Sequence, residues 1–136
     1  SYEEYNRIYL NAAVQQLLGQ EKAAGATLHQ VLVAAEEAIN AKGLALTPAL
    51  AVTSGQSALL LGNYRLAQEY LSRAAEIASG LDDQRTQAIA RLWLGAALLK
   101  DGDPSGAELI EAACHTGNEI LTEYYLLKQL VDMNHR

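Results

Sequence analysis

The sequence predicts an all-α protein, and three observations support that prediction. Ala, Leu, Glu and Gln dominate the composition, whereas Phe is absent and β-branched residues are sparse. Apolar residues recur at intervals of three and four, and no long stretch alternates apolar with polar residues as a half-buried strand would. Both prolines stand where helices are expected to begin, Pro48 after Thr47 and Pro104 after Asp103, because proline fits the first helical position.

Short breaks that contain glycine divide the chain into seven predicted helices. These helices are expected to span about residues 2–19, 26–42, 48–61, 64–79, 84–100, 104–115 and 118–133. At 136 residues, the whole chain is expected to form a single domain with one hydrophobic core.

Charge and hydropathy exclude several classes of function. The net charge of -6 argues against a basic surface for DNA or RNA and against binding to an anionic membrane. No apolar run is long enough to span a membrane, and the acidic, aromatic beginning is unlike a signal peptide. The single cysteine, Cys114, cannot form an internal disulfide, so a cytoplasmic location is expected. Because the chain starts at Ser1 without Met, we expect it to be a segment of a larger protein.

An internal repeat relates residues 55–75 to residues 95–115 at an offset of 40. The offset pairs Gly55 with Gly95, Gly62 with Gly102, Ala67 with Ala107, and Ala74 with Cys114. The first glycine would allow a neighbouring helix to approach closely, and the second would end its helix. Ala67 and Ala107 are therefore predicted to lie where the two helices of each hairpin cross. The small residue seven positions later is predicted to pack against the next hairpin.

This pattern resembles the tetratricopeptide repeat, in the 40-residue variant of kinesin-light-chain-like proteins and of bacterial regulators of the LuxR/maltose-activator type. The resemblance covers residues 48–115 and implies a right-handed superhelix of helical hairpins. It departs from the family at Ala51 and Arg91, where Trp is common, and at Glu111, where a large apolar residue is usual.

The resemblance implies three hairpins and a capping helix. The hairpins would span about residues 2–42, 48–80 and 84–115, and the cap would span 118–133. The first hairpin is degenerate: an offset of 36 places Leu28 over Tyr64, but Ala26 then falls over the turn residue Gly62.

The resemblance also implies a concave face, built from the first helix of each hairpin, that would bind a partner. Its residues would be Ala49, Val52, Gln56, Leu59, Leu60, Ile89, Leu92, Ala96, Leu99 and Lys100. Some family members bind a peptide carboxylate with Lys, Asn and Arg on this face, but here only Lys100 is of these types. A mostly apolar groove would instead suit an amphipathic helix. The alternative is that the first hairpin or the capping helix covers this face and leaves no groove.

The stretch from Asp101 to Ala112 resembles half of a calcium-binding loop. Asp101, Asp103, Ser105 and Gly106 fall at positions 1, 3, 5 and 6 of an EF-hand loop, but position 12 is Ala112 rather than a bidentate carboxylate. The related turn after Gly62 has no acidic cluster. We therefore predict a helix-hairpin turn without metal.

No catalytic or cofactor site is predicted. Asp82, Asp83, Asp101 and Asp103 precede helices, where acidic capping residues are common, so general acid–base chemistry is the weaker interpretation. Cys114 beside His115 offers too few ligands for zinc, because His29 and His135 lie in distant elements. The chain also has no phosphate-binding loop.

Tyrosines cluster near both ends of the chain. They are Tyr2, Tyr5, Tyr9, Tyr124 and Tyr125. They could be core residues or an exposed interface, since tyrosine is enriched among residues that dominate binding energy.

The sequence therefore predicts a protein–protein interaction scaffold from a bacterial regulatory or signalling protein, not an enzyme. Two alternatives stay open: a module that senses a small effector on the apolar concave face, and a module for homodimerisation. Direct contact with nucleic acid is not expected.

Overall fold

The computed structural model describes residues 25, 26, 28–30, 32, 33, 36, 37 and 47–131. All regular secondary structure in this part of the chain is helical, as predicted. Its complete helices are α1 Pro48–Leu60, α2 Tyr64–Gly80, α3 Gln84–Lys100, α4 Gly106–Cys114 and α5 Asn118–Leu130. The predicted helix at 2–19 lies outside the described residues, and the described residues within 26–42 are helical.

The helices form a stack of antiparallel hairpins. Each helix packs against the next along the chain, and α1 also contacts α3 as α3 contacts α5. Thus α1 and α2 form one hairpin, α3 and α4 form a second, and α5 occupies the place of the next first helix.

Side-chain caps fix the starts of the first three helices. Thr47 Oγ1 accepts a hydrogen bond from the Leu50 amide at 3.1 Å, and Pro48 takes the first helical position as predicted. Asn63 and Asp83 cap α2 and α3 in the same way, through the third amide of each helix. These polar residues satisfy N–H groups that have no partner within the helix.

Three successive helix ends share one turn geometry. Gly62, Asp82 and Gly102 each adopt a positive φ, of 85°, 57° and 88° respectively. After each of them, the next amide donates to a carbonyl five residues back, as in Asn63 to Ala58 at 2.9 Å and Asp103 to Leu98 at 2.8 Å. This is the Schellman pattern, which closes a helix end and reverses the chain.

Helix α4 begins at Gly106 rather than at Pro104, so the predicted start was wrong. The amides of Gly106, Ala107 and Glu108 donate to carbonyls three residues back, and the segment is wound as a 3₁₀-type turn. The Asp103 carboxylate accepts from the amide and hydroxyl of Ser105, within its own turn, instead of capping α4.

The repeat register in the second hairpin is also corrected. Ala67 is fully buried as predicted, but Ala107 is exposed, and Gly106 occupies the crossing instead. Ala113 is buried where Cys114 was expected. In a 3₁₀ turn, consecutive residues are rotated about the helix axis by about 120°, rather than by about 100° as in an α-helix. Over a few residues, the difference turns the buried face by most of the angle between two consecutive residues.

Candidate interaction site

The predicted partner-binding face of α1 is mostly buried. Val52, Gln56 and Leu59 are at most 9% exposed, whereas Ala49 and Leu60 are half-buried. Leu60 packs against Leu28 of the upstream helical residues. In this conformation, the middle of α1 offers no open apolar wall.

The predicted face of α3 is buried as well. Leu92 and Ala96 are fully buried in the main hydrophobic cluster. Ile89 and Leu99 are half-buried, and Leu99 lies beside Gly106 of α4 rather than on an open surface. Lys100 is half-buried at the end of the helix. These residues of α3 are therefore buried or half-buried within the stack.

A polar junction joins α1, α3 and α5. The Gln56 side-chain amide donates to Glu123 Oε1 at 3.3 Å, and the Trp93 indole N–H donates to the same oxygen at 2.8 Å. Trp93 is fully buried, and the only polar atom of its side chain is thereby satisfied. The bond from Gln56 to Glu123 thus links α1 to α5 on one side of α3.

Sequence reasoning missed this junction, although a signal for it exists. Ile120, Glu123, Leu127 and Leu130 follow the spacing of three and four that marks one face of α5. A carboxylate within an otherwise apolar stripe indicates a buried hydrogen-bond partner, because unpaired buried charge is costly. The identity of the partner depends on which helices meet there.

The outer side of α5 carries exposed apolar side chains. Leu121 is 49% exposed and Tyr125 is 63% exposed, and they are one helical turn apart. The exposed residues Thr122 and Gln129 lie on the same side of the helix. We call Leu121, Thr122, Tyr125 and Gln129 the outer stripe.

The two described tyrosines of the predicted interface differ in environment. Tyr125 belongs to the outer stripe, whereas Tyr124 is half-buried, packs against the main cluster and lies under the Lys128 ammonium, 4.7 Å from its ring centre. Tyr2, Tyr5 and Tyr9 lie outside the described residues.

Hydrogen bonds hold the acidic turn between α3 and α4 together. Hydrogen bonds from Ser105, first from its hydroxyl and then from its amide, hold the pKa of the Asp103 carboxyl below its usual value. Asp101 accepts a hydrogen bond from the Gln68 side chain of α2 at 3.1 Å. The described residues contain no group of three or more potential metal ligands.

The thiol of Cys114 is half-buried at the end of α4. Burial raises its pKa, and the nearby positive charge of Lys128, which lowers it, offsets only part of that effect. A raised pKa disfavours the reactive thiolate. His115 lies 4.0 Å from Glu111 on an exposed surface, and His135 falls outside the described residues.

None of the described helices is both long enough and apolar enough to cross a membrane. Comparison with known protein families, with curated proteins and with solved structures finds no match to this chain.

Proposed function

We propose that this chain is a protein-interaction module of the tetratricopeptide type, and that it receives an amphipathic helix of a partner on the outer stripe of α5. The observation that carries the proposal is the exposure of Leu121 and Tyr125 on the last described helix of a regular stack.

The alternation of contacts supports the repeat architecture. Each first helix touches its own second helix and the first helix of the next hairpin, as expected of a solenoid. The shared turn geometry at Gly62 and Gly102, 40 residues apart, supports the same period.

The order of helices in the stack supports a helical partner for the outer stripe. Helix α2 covers α1, and α4 covers α3, whereas no described helix follows α5. Counted from the N-cap residues, Thr122 and Gln129 occupy the positions of Ala88 and Gly95, which lie on the side of α3 that faces α4. A partner helix would thus take the place that α2 and α4 take in the hairpins.

The chemistry of the stripe defines the partner helix. A partner helix that contacts Leu121 and Tyr125 needs apolar side chains one helical turn apart. Thr122 and Gln129 can form hydrogen bonds with polar side chains of that helix at the edges of the stripe. Tyr125 is suited to be the energetic anchor, because tyrosine buries a large rigid surface at low entropic cost.

The parent protein is proposed to be a bacterial regulator that acts in the cytoplasm, on the strength of the resemblance in residues 48–115. The two alternatives differ in their support. An effector pocket on the concave wall is disfavoured by the burial of Val52, Leu92 and Ala96. Homodimerisation would use the same outer stripe.

A library of amphipathic helical peptides, selected on the immobilised chain, would test the proposal. Peptides that bind should lose affinity by about tenfold or more for Tyr125→Ser and Leu121→Ser, since each substitution removes a buried apolar contact. Leu81→Ser is the matched control, because Leu81 is 66% exposed but lies in the turn between α2 and α3. The proposal would be contradicted if the affinity of the selected peptides were unchanged by both α5 substitutions.

Light scattering over a wide concentration range separates a foreign partner from a second copy. If the chain is a monomer at all concentrations, the outer stripe is available to a helix of a foreign partner. A dimer that Tyr125→Ser dissociates, and that Leu81→Ser does not, would assign the stripe to homodimerisation.

A further inference from the structure

A polar cleft lies between α3 and α4, apart from the outer stripe. Its volume is about 220 Å³, and its sides are formed by Gln84, Gln87 and Arg91 of α3 and by Thr116, just after α4. Ala88 and Ala113, which are 5% and 3% exposed, form its floor. The small apolar floor of the cleft is therefore surrounded by two side-chain amides, one hydroxyl and one guanidinium.

Among the described residues that line the cleft, Arg91 carries the only charge and none has a carboxylate. Within the described part of the chain, no ion pair engages Arg91, although acidic residues outnumber basic ones by 16 to 10 in the sequence. The positive end of α3 and the negative end of α4 both border the cleft, so their dipole effects largely offset each other. The guanidinium of Arg91 consequently gives the cleft a preference for anionic ligands.

The first hairpin shows that the hairpin packing does not require an arginine here. Ala51 is the counterpart of Arg91 at the offset of 40, and it is fully buried against Ala74 and Ala90. In the second hairpin, the same position carries a long cation that is exposed at the cleft. The first hairpin therefore has a buried packing residue at this position, whereas the second hairpin has a charged, accessible side chain.

We propose that this cleft binds a small organic carboxylate. The Arg91 guanidinium donates to the carboxylate, which it matches in geometry, while the amides of Gln84 and Gln87 and the Thr116 hydroxyl supply further donors. The carbon chain of the ligand lies on Ala88 and Ala113. The volume is below the range of pockets for drug-sized molecules, so the ligand has only a few carbon atoms.

Nuclear magnetic resonance of the ¹⁵N-labelled full chain tests the assignment. Sodium propionate, propionamide and inorganic phosphate are titrated separately at constant ionic strength, and the side-chain signals of Gln84, Gln87 and Arg91 are followed. Propionamide has nearly the shape of propionate without its charge. Arg91→Gln removes the guanidinium, and Arg73→Gln is the matched control, because Arg73 is an exposed arginine of α2 outside the cleft.

Propionate should give saturable shifts of these signals, with a dissociation constant in the millimolar range, and propionamide should give none. Arg91→Gln should weaken propionate binding by about tenfold or more, because it removes a charge-assisted hydrogen bond, whereas Arg73→Gln should leave it unchanged. Circular dichroism would verify that both variants remain folded. The proposal is overturned if propionate does not saturate, if Arg91→Gln binds it as tightly as the wild type, or if phosphate binds more tightly than propionate.

Discussion

Small residues at the hairpin crossings determine how closely paired helices approach. A Cβ atom on Gly55 would lie 2.5 Å from the Leu71 side chain, and one on Gly95 would lie 2.6 Å from the Gly106 carbonyl oxygen. The second hairpin is the tighter case, because backbone meets backbone there and a flexible side chain cannot move aside. Single residues thus set the geometry on which the stack depends.

Ala67 and Ala107 provide a direct test of the register at the crossings. Ala67→Leu should destabilise the protein by about 1–3 kcal/mol, because the added carbons overpack a fully buried position. Ala107→Leu is the control and should change stability by less than about 0.5 kcal/mol, because Ala107 is exposed. Chemical denaturation measures both effects.

If both substitutions were equally destabilising, the unshifted 40-residue register would apply to α4. If Ala67→Leu left the melting temperature unchanged, the crossing would not lie at Ala67 at all.

At the scale of the element, α5 is attached by an apolar stripe with one polar anchor. Ile120, Leu127 and Leu130 are buried, and Glu123 between them accepts both hydrogen bonds of the junction. A second link, from Arg85 to Glu119 at 2.8 Å, lies at the exposed start of α5. Arg85 precedes Trp93 along α3, and their partners Glu119 and Glu123 occur in the same order along α5. These two helices therefore run in the same direction.

Glu123→Ala should destabilise the protein by about 1–3 kcal/mol, because it leaves the buried indole N–H of Trp93 without an acceptor. Since Trp93 is the single tryptophan, its fluorescence reports this site directly, and we expect a shift to longer wavelength as water enters. Glu119→Ala is the control, with an expected cost of at most about 1 kcal/mol for an exposed ion pair. Equal effects of the two substitutions, or an unchanged spectrum in Glu123→Ala, would refute the anchoring role of Glu123.

The turn between α3 and α4 is an element whose acidic residues are already engaged. Asp103 binds Ser105, and Asp101 binds Gln68. We expect millimolar calcium to leave the melting temperature unchanged in the wild type and in Asp101→Ala, as sodium chloride of equal ionic strength does. A rise of several degrees with calcium that disappears in Asp101→Ala would contradict this prediction and establish a metal site.

At the scale of the whole molecule, one continuous core joins the described helices. The main cluster extends from Leu32 of the upstream residues, through Leu59 and Trp93, to Val131 after α5. Solenoids are stabilised by contacts between neighbouring repeats, and a shared core couples those repeats during unfolding.

Thermal unfolding should therefore show a single transition. Far-ultraviolet circular dichroism, which follows all helices, and Trp93 fluorescence, which follows the junction of α1, α3 and α5, should give the same midpoint. Leu127→Ala should lower both midpoints together, because Leu127 is fully buried in the shared core, and Leu121→Ala on the exposed side is the control. Separate midpoints for the two probes would indicate that α5 detaches before the hairpins unfold.

The distribution of buried and exposed side chains bears on the proposed function. Gln56 of α1 is hydrogen-bonded to Glu123 of α5, and accessible apolar side chains lie on the outer stripe. Tyr125, which the sequence left open as a core or an interface residue, is part of that accessible surface, whereas Leu92 and Ala96 are not.

The sequence by itself determined the all-helical class, the places of the five complete described helices to within a few residues, and the turn at Gly62. These features depend on local physics: helix periodicity, capping side chains and the positive φ that glycine tolerates. The local preferences of Pro48 and Thr47 were sufficient to begin α1, because no distant contact opposes them.

The tertiary structure decided the rest. Gly106 rather than Ala107 lies at the second crossing, because the winding of the preceding turn rotates α4. The burial of Gln56 and Leu92, the partnership of Glu123 with Trp93, and the cleft beside Arg91 all depend on which helices meet and at what angle. Hydrophobic periodicity gives a helix an inner face, but the neighbours of that face are set by packing between helices far apart in sequence.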